Sequence, residues 1–169
     1  MLILARNVFA LGIVLTYQSA FAAGPRVCEA FTAFSPTDGR EVYFTDVDLD
    51  GAVSVGDKRV GQRKLLDSAG AEIGKRYWTI AFREIGDKGE AVSRDEETVN
   101  VFDSGVIFTT YHIDKPNAMS DYTADVSIPQ GSNVMTIVGG TGAFARASGT
   151  LVAEVAGNEI HIAFNVTCK

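Results

Sequence analysis

The sequence predicts an all-β protein whose strands form a barrel or a sandwich. Three observations support this class: apolar residues recur with a period of two, no stretch after residue 22 has a convincing helical period, and turn-forming residues separate the apolar runs. About eight or nine short strands with this punctuation are typical of closed or two-layered β architectures.

The clearest strand lies between Ile160 and Val166, where large apolar residues alternate with smaller or polar ones. A second lies between Tyr77 and Arg83, where Trp78, Ile80 and Phe82 share one face. Further strands are predicted at residues 29–34, 41–45, 58–66, 98–113, 123–128, 134–138 and 149–155.

Within the predicted strand at 98–113, large apolar side chains occur at both odd and even positions of Val101–Ile113, and therefore on both faces of the strand. Each face of such a strand is covered by another part of the protein. The barrel core would cover one face, and another subunit or chain segment would cover the other. If another subunit covers the outer face, the chain forms a homo-oligomer, such as a dimer or a trimer.

The N-terminus has the features of a cleavable export signal. Arg6 supplies positive charge, Val8–Tyr17 is a short apolar run, and Ala20 and Ala22 provide the small residues that a signal peptidase reads. The alternative, a membrane span, needs a run of about 20 apolar residues, which is longer than this one. We expect residues 1–22 to be a signal peptide and residues 23–169 to be one domain, secreted or periplasmic.

The charge of the chain excludes two classes of partner. The formal net charge is −6, and it becomes −7 once the segment carrying Arg6 is removed. No cluster of lysines and arginines is present. Nucleic acids and anionic membranes are therefore not expected as partners.

The two cysteines lie near the two ends of the exported domain. In an oxidising compartment, Cys28 and Cys168 are expected to form a disulfide bond. Such a bond requires the first and last strands to lie side by side. The alternative is a pair of separate buried thiols.

Residues 138–149 form a glycine-dense turn followed by the start of a strand. This segment closely resembles the Gly-Gly-Thr/Ser-Gly-x-Phe/Tyr-x-x-Ala-x-Gly pattern of the dirigent and allene oxide cyclase barrel superfamily. Residues 54–74 are similar to the upstream pattern of that superfamily. The matching positions in the glycine-rich segment are Gly139, Gly140, Thr141, Gly142, Phe144, Ala147 and Gly149.

The resemblance implies an eight-stranded antiparallel barrel with an apolar central cavity. Such barrels, which are often trimeric, bind a small hydrophobic reactive intermediate and direct its cyclisation or coupling without a cofactor. Plant dirigent proteins usually carry an arginine where this chain has Ser148. At this position the chain departs from the plant dirigent pattern.

Four side chains are candidates for the catalytic polar groups of such a cavity: Tyr77, Arg83, Tyr111 and Asp125. Buried polar groups need partners, and those partners can polarise a ligand. Two other functions stay open, a non-catalytic barrel that binds small ligands and a structural barrel with a filled interior. A cavity with convergent polar groups would argue against the filled barrel.

Two further sequence patterns do not lead us to predict a metal or catalytic site. Asp46–Asp57 matches a calcium loop, with Asp46, Asp48, Asp50 and Asp57 among the ligand positions and Gly51 at the sixth position. It lacks flanking helices and ends in Asp, so a solvated acidic turn is favoured and no metal is predicted. The two histidines, His112 and His161, lie on separate predicted strands and indicate neither a metal site nor a triad.

Overall fold

The computed structural model describes residues 28–87, 91–113 and 132–169. In these ranges the chain forms strands and turns without a helix, which confirms the all-β class. The predicted signal peptide, the predicted strand at 123–128 and Asp125 lie outside them. The strands are β1 Phe31–Pro36, β2 Glu41–Thr45, β3 Lys58–Leu66, β4 Glu72–Ile85, β5 Ala91–Phe102, β6 Gly105–Ile113, β7 Ser132–Gly142, β8 Ala147–Ala156 and β9 Glu159–Cys168.

The strands form an antiparallel sheet in the order β1-β9-β8-β7-β6-β5-β4-β3-β2. A further pairing of Phe34 on β1 with Leu66 on β3 closes eight of these strands into a barrel. β2 is the extra strand, and it pairs with residues 58–62 along the same edge of β3. The predicted eight-stranded antiparallel barrel is confirmed.

The alternation of side chains determines what fills the barrel. On β9, Ile160, Ile162 and Phe164 point inward and are buried, as their period of two predicts. On β4, Trp78 and Phe82 likewise point inward. β4 is longer than predicted and begins at Glu72, so the inward positions of this strand also include residues before Trp78.

The region predicted as one strand at 98–113 is a hairpin of β5 and β6. Phe102 pairs with Gly105 across a turn at Asp103 and Ser104. Inward-facing residues have even numbers on β5, as Phe102 does, and odd numbers on β6, as Ile107 does. Both residues are buried in the core, so the turn changes the parity of the inward-facing positions. Much of the apparent two-sided apolar pattern is therefore a change of face, although Val101 on β5 remains 37% exposed on the outside.

The two ends of the barrel differ, and we call the end with the disulfide the lower end. Cys28 and Cys168 are bonded there, with a Cα–Cα separation of 5.5 Å, which confirms the predicted pairing. Above the bond, Phe31 stacks on Phe164 at 4.5 Å between ring centroids and meets Phe102 edge-on at 5.4 Å. The lower half is a packed aromatic core. β6 ends and β7 begins at the opposite, upper end.

The glycine-rich segment forms the β7–β8 corner at the lower end, as predicted. Gly142 has a φ of +59°, a left-handed conformation that favours glycine. Phe144 is fully buried in the core and anchors the turn. Ala143 N donates a backbone hydrogen bond of 2.8 Å to Ser104 O, which ties this corner to the β5–β6 turn.

Candidate functional site

A cavity lies inside the barrel, above the aromatic core. Its apolar walls come from two separate clusters: Met135, Ile160 and Ile162 belong to the main core, whereas Trp78 and Ile80 belong to a smaller cluster on β4. Because the two clusters do not merge here, a space remains between them. The cavity is lined by Arg63, Arg76, Trp78, Ile80, Glu96, Tyr111, Asn133, Met135, Ala153, Ile160 and Ile162.

The cavity is narrow. It contains about 580 Å³ free of protein atoms when its mouth is counted, and the centre of a water molecule can reach about 50 Å³ of this space. A site of this shape has room for a few waters or for one end of a small ligand. The rest of such a ligand would extend through the mouth.

Glu96 and Tyr111 form the acidic and phenolic part of the lining. They are directly opposite each other on β5 and β6. Cross-strand partners on one face have Cβ atoms about 4.5–5.5 Å apart, so the two groups can act on one bound atom. A carboxylate accepts hydrogen bonds and a phenol can donate one, which is a pairing suited to moving or holding a proton.

Two arginines form the cationic part. Arg63 on β3 and Arg76 on β4 are also directly opposite each other, and both line the cavity. The Arg63 guanidinium lies over the ring of Trp78, 4.7 Å from its centroid. Nη2 of Arg76 lies 3.5 Å from Oε1 of Glu96, and Nη2 of Arg94 lies 3.7 Å from Oε2 of the same carboxylate.

Burial acts on the charges of these arginines. It lowers the pKa of Arg76, although the nearby Glu96 opposes this effect. Burial and the facing charge of Arg76 lower the pKa of Arg63 to about 10. Both side chains remain cations near neutral pH. The site is therefore positively charged, with one carboxylate among the lining residues.

A buried polar network supports the floor of the cavity. Arg76 donates to the sulfur of Met135 at 3.0 Å, and Thr109 donates to the same sulfur at 3.6 Å. Thr109 and Thr98 share a hydroxyl hydrogen bond of 2.5 Å. Because a thioether is only a weak acceptor, the contact with Met135 satisfies the buried guanidinium of Arg76 only in part.

The structure brings one of the four sequence-predicted site residues to the cavity. Tyr111 lines it, whereas Tyr77 and Arg83 lie on the outer face of β4, because Trp78, Ile80 and Phe82 take the inward positions. Tyr77 is 40% exposed, and the Arg83 side chain is 63% exposed. Asp125 is outside the described residues and stays a prediction.

The sequence interpretation missed Arg63, Arg76 and Glu96. A signal was present for Arg76, which has the same parity as Trp78 on β4 and therefore points inward. Glu96 likewise has the parity of Phe102 on β5. Their charge argued against burial at the sequence level, since charged residues are almost never buried without a partner.

On the outer face, the carboxylate of Asp95 contacts two basic side chains. Its carboxylate contacts the guanidinium of Arg83 and lies 2.5 Å from Nδ1 of His112. The hydrogen bond with His112 and the contact with Arg83 lower the pKa of Asp95. His161 is separate, with Nε2 3.9 Å from Glu159. Neither histidine is among the residues that line the cavity.

The acidic loop at 46–57 is held by hydrogen bonds to its own backbone. The Asp46 carboxylate accepts from the amides of Leu49 at 2.6 Å and Gly51 at 2.8 Å. Asp57 is fully buried and accepts from other backbone amides of the loop. Carboxylate oxygens of Asp46, Asp48 and Asp50 lie within 4.8 Å of one another, but Asp57 is not in this group. Calcium binding stays an untested hypothesis.

Comparison with known proteins gives structural relatives only. No protein-family model and no curated protein matches the sequence. The fold is similar to that of a pyocyanin demethylase, with a TM-score of 0.59 and 20% identity over 82% of this chain and 99% of that chain.

The descriptions of two further similar structures name a cyclase and a Diels-Alderase. One is a nonspecific heme-binding cyclase that catalyses a 4 + 2 cycloaddition during neoabyssomicin biosynthesis, with a TM-score of 0.54 and 15% identity over 80% of this chain and 61% of that chain. The other is the Diels-Alderase AbmU from Streptomyces koyangensis, with a TM-score of 0.53 and 13% identity over 84% of this chain and 69% of that chain. At these identities the likeness establishes the barrel fold alone.

Proposed function

We propose that this chain is an exported barrel protein that binds a small hydrophobic reactive intermediate in its cavity and directs the cyclisation or coupling of that intermediate. The observation that carries the proposal is the combination of two apolar walls with Glu96 and Tyr111 opposite each other between them. Sites of this kind bind the ligand through apolar contact and orient it through a few polar groups.

The mechanism follows from what such a cavity can do. The walls would hold one reacting end of the molecule and the mouth would orient the other end toward it, which converts an improbable encounter into a favourable geometry. Tyr111 would donate a hydrogen bond to an oxygen of the intermediate, and Arg76 would stabilise negative charge that develops on that oxygen. In a ring closure of this type, the new bonds come from the substrate's own π electrons. The protein need supply no electrons.

The structural relatives are compatible with this proposal. Two of them are described as a cyclase that catalyses a cycloaddition and as a Diels-Alderase. The sequence resemblance to the dirigent and allene oxide cyclase superfamily also favours a barrel that directs the cyclisation or coupling of a bound intermediate. Membership of that superfamily is part of the proposal.

A non-catalytic ligand-binding barrel is the second candidate. One observation favours it: the Glu96 carboxylate lies between Arg76 and Arg94, so it has charged neighbours on both oxygens. Both oxygens of this carboxylate are thus taken up by cations of the chain itself, as in a structural counter-ion. In this second function the polar groups would fix the orientation of a ligand without changing it.

Turnover separates the two functions. Residues 23–169 would be incubated with a panel of conjugated polyenes, allylic epoxides and oxidatively generated phenoxy radicals, and the enantiomers of each product would be measured. We expect one substrate class to give an excess of one enantiomer over the protein-free reaction. Tyr111→Phe should reduce that excess, and Tyr43→Phe, which alters an exposed tyrosine on β2, should not. Racemic products from every class that binds would leave only the non-catalytic function.

Export and assembly are separate parts of the proposal. A disulfide between Cys28 and Cys168 is compatible with an oxidising compartment. N-terminal sequencing of the exported protein should find a chain that begins near residue 23, and an intact Met1 would contradict cleavage.

The outward-facing Val99 and Val101 are candidates for a contact between subunits. Sedimentation equilibrium should then give a dimer or a trimer.

A further inference from the structure

The most unusual feature of the cavity is a pair of like charges. Arg63 and Arg76 occupy directly opposed positions on β3 and β4, and both side chains point into the same enclosed space. Like charges directly opposite each other in a sheet destabilise the pairing. Such an arrangement needs a compensating negative charge.

The described residues supply only part of that charge. Glu96 lies 3.5 Å from Arg76 but also 3.7 Å from Arg94, so one carboxylate is shared between two guanidiniums. Both distances are longer than those of charge-assisted hydrogen bonds, which are about 2.7–2.9 Å. Arg63 is positioned by the π face of Trp78. The cavity therefore keeps an excess of positive charge.

Specific donors are available for an anion. Arg76 is only 6% exposed, and its Nη1 has no hydrogen-bond partner in the described part of the chain. Nε of Arg63 also lacks a hydrogen-bond partner among these residues. A buried donor without a partner is costly, and a guanidinium is suited to binding two oxygens of one anionic group. The apolar walls next to these donors would take the carbon skeleton of the same ligand.

We propose that the ligand of this barrel is a hydrophobic organic anion whose carboxylate or similar anionic oxygen group binds between Arg63 and Arg76. This inference rests on the proposed ligand-binding function and names the class of molecule. The anionic group would satisfy the free donors of both arginines and cancel their repulsion. The part of the hydrophobic skeleton next to this group would lie against Trp78 and Ile80 on one side and Ile160 on the other, and the rest would extend through the mouth.

A matched pair of fluorescent probes tests this inference. 8-Anilino-1-naphthalenesulfonate and N-phenyl-1-naphthylamine share one aromatic skeleton, and only the first carries an anionic group. Trp78 is the only tryptophan of the chain and lines the cavity, so energy transfer from Trp78 to either probe reports binding to the protein, and the arginine variants below assign it to the cavity. We expect the sulfonate to bind about 10- to 100-fold more tightly than the uncharged probe, as charge-assisted hydrogen bonds would give.

Variants of the two arginines test whether the preference for the sulfonate arises in the cavity. Arg76→Met should abolish most of the preference for the sulfonate, and Arg63→Gln, at a less buried position, should reduce it even if Arg76→Met folds poorly. Lys75→Met removes a neighbouring exposed cation from β4 and should leave the preference unchanged. Circular dichroism and the intact disulfide would verify folding of each variant.

The outcomes separate the two levels of the proposal. Equal affinity for both probes, or a preference that persists in folded Arg63→Gln and Arg76→Met proteins, would overturn the anionic ligand and leave the ligand-binding barrel in place. Failure of both probes to transfer energy from Trp78 would overturn the binding of hydrophobic ligands in this cavity as well. A preference for the sulfonate that depends on both arginines supports the inference.

Discussion

Glu96 interacts with Arg76 across the β4 and β5 strands, with Oε1 and Nη2 3.5 Å apart inside the barrel. The pair joins the one carboxylate that lines the cavity to a cation that is almost fully buried. Removing either partner leaves the other charge in a poorly solvated place. The stability of the barrel and the chemistry of its cavity are therefore linked.

Glu96→Gln should lower the free energy of unfolding by about 1–3 kcal/mol, because Arg76 and Arg94 lose their shared counter-charge. Urea unfolding measures this change. Glu97→Gln is the matched control, since Glu97 is the exposed next residue of β5. An equal loss in both variants would mean that Glu96 does not stabilise the buried arginines.

Cys168→Ser should lower the thermal midpoint clearly under oxidising conditions and hardly at all in reductant. The bond joins residues 140 positions apart, and the loss of such a constraint on the unfolded chain is worth about 5 kcal/mol in the chain-entropy model. Thermal melts with and without dithiothreitol provide the measurement. A midpoint that is identical in wild type and variant without reductant would argue against the bond in solution.

Gly142→Val should destabilise the barrel by about 1–3 kcal/mol, whether or not a ligand is bound. Gly142 has a φ of +59°, and a Cβ there would lie 2.6 Å from the carbonyl oxygen of Ser104. The control is Gly139→Val, because no atom lies within 4 Å of a Cβ placed on Gly139. Chemical denaturation of both proteins tests the pair, and similar losses would show that the corner has no special backbone requirement.

The free energy of unfolding should depend on pH through Asp95, which lies on the outer face of the barrel. Its pKa is lowered in the folded protein by His112 and Arg83, so the unfolded state binds the proton more readily. The stabilisation that the ionised Asp95 gives to the folded protein is therefore present above the ordinary aspartate pKa of 3.8 and is lost as the pH falls below it.

Asp95→Asn removes this contribution, so its thermal midpoint should fall less than that of the wild type between about pH 5 and about pH 3. Asp103→Asn, at the exposed β5–β6 turn, serves as the control. Parallel pH profiles for wild type and Asp95→Asn would be evidence that the contacts with His112 and Arg83 do not persist in solution.

The region at 98–113 illustrates what local patterns can and cannot predict. Its composition correctly indicates strand, because β-branched and aromatic residues fit a pleated surface. The pattern did not reveal the turn at Asp103 and Ser104, where the inward-facing parity changes. One strand with two apolar faces and two strands with one apolar face each have similar sequences, and only the pairing partners distinguish them.

The residues of the cavity were hard to predict for a related reason. Tyr111 was predicted as a cavity residue, but Arg63 and Arg76 were not, although their parity directs both side chains inward. Whether an inward position is packed, solvated or part of a cavity depends on the opposite wall. Here that wall comes from Met135, Ile160 and Ile162, which are distant in sequence.

The sequence by itself determined the all-β class, the glycine-rich corner and the pairing of Cys28 with Cys168. These features depend on alternation with a period of two, on the conformational freedom of glycine and on redox chemistry, all of which act through short segments or residue type. Only the tertiary structure decided that Arg63, Arg76 and Glu96 meet in one cavity. The physical reason is that closure through the β1–β3 pairing encloses the inward faces of all eight strands, and enclosure turns a solvated arginine into a buried charge that needs a partner.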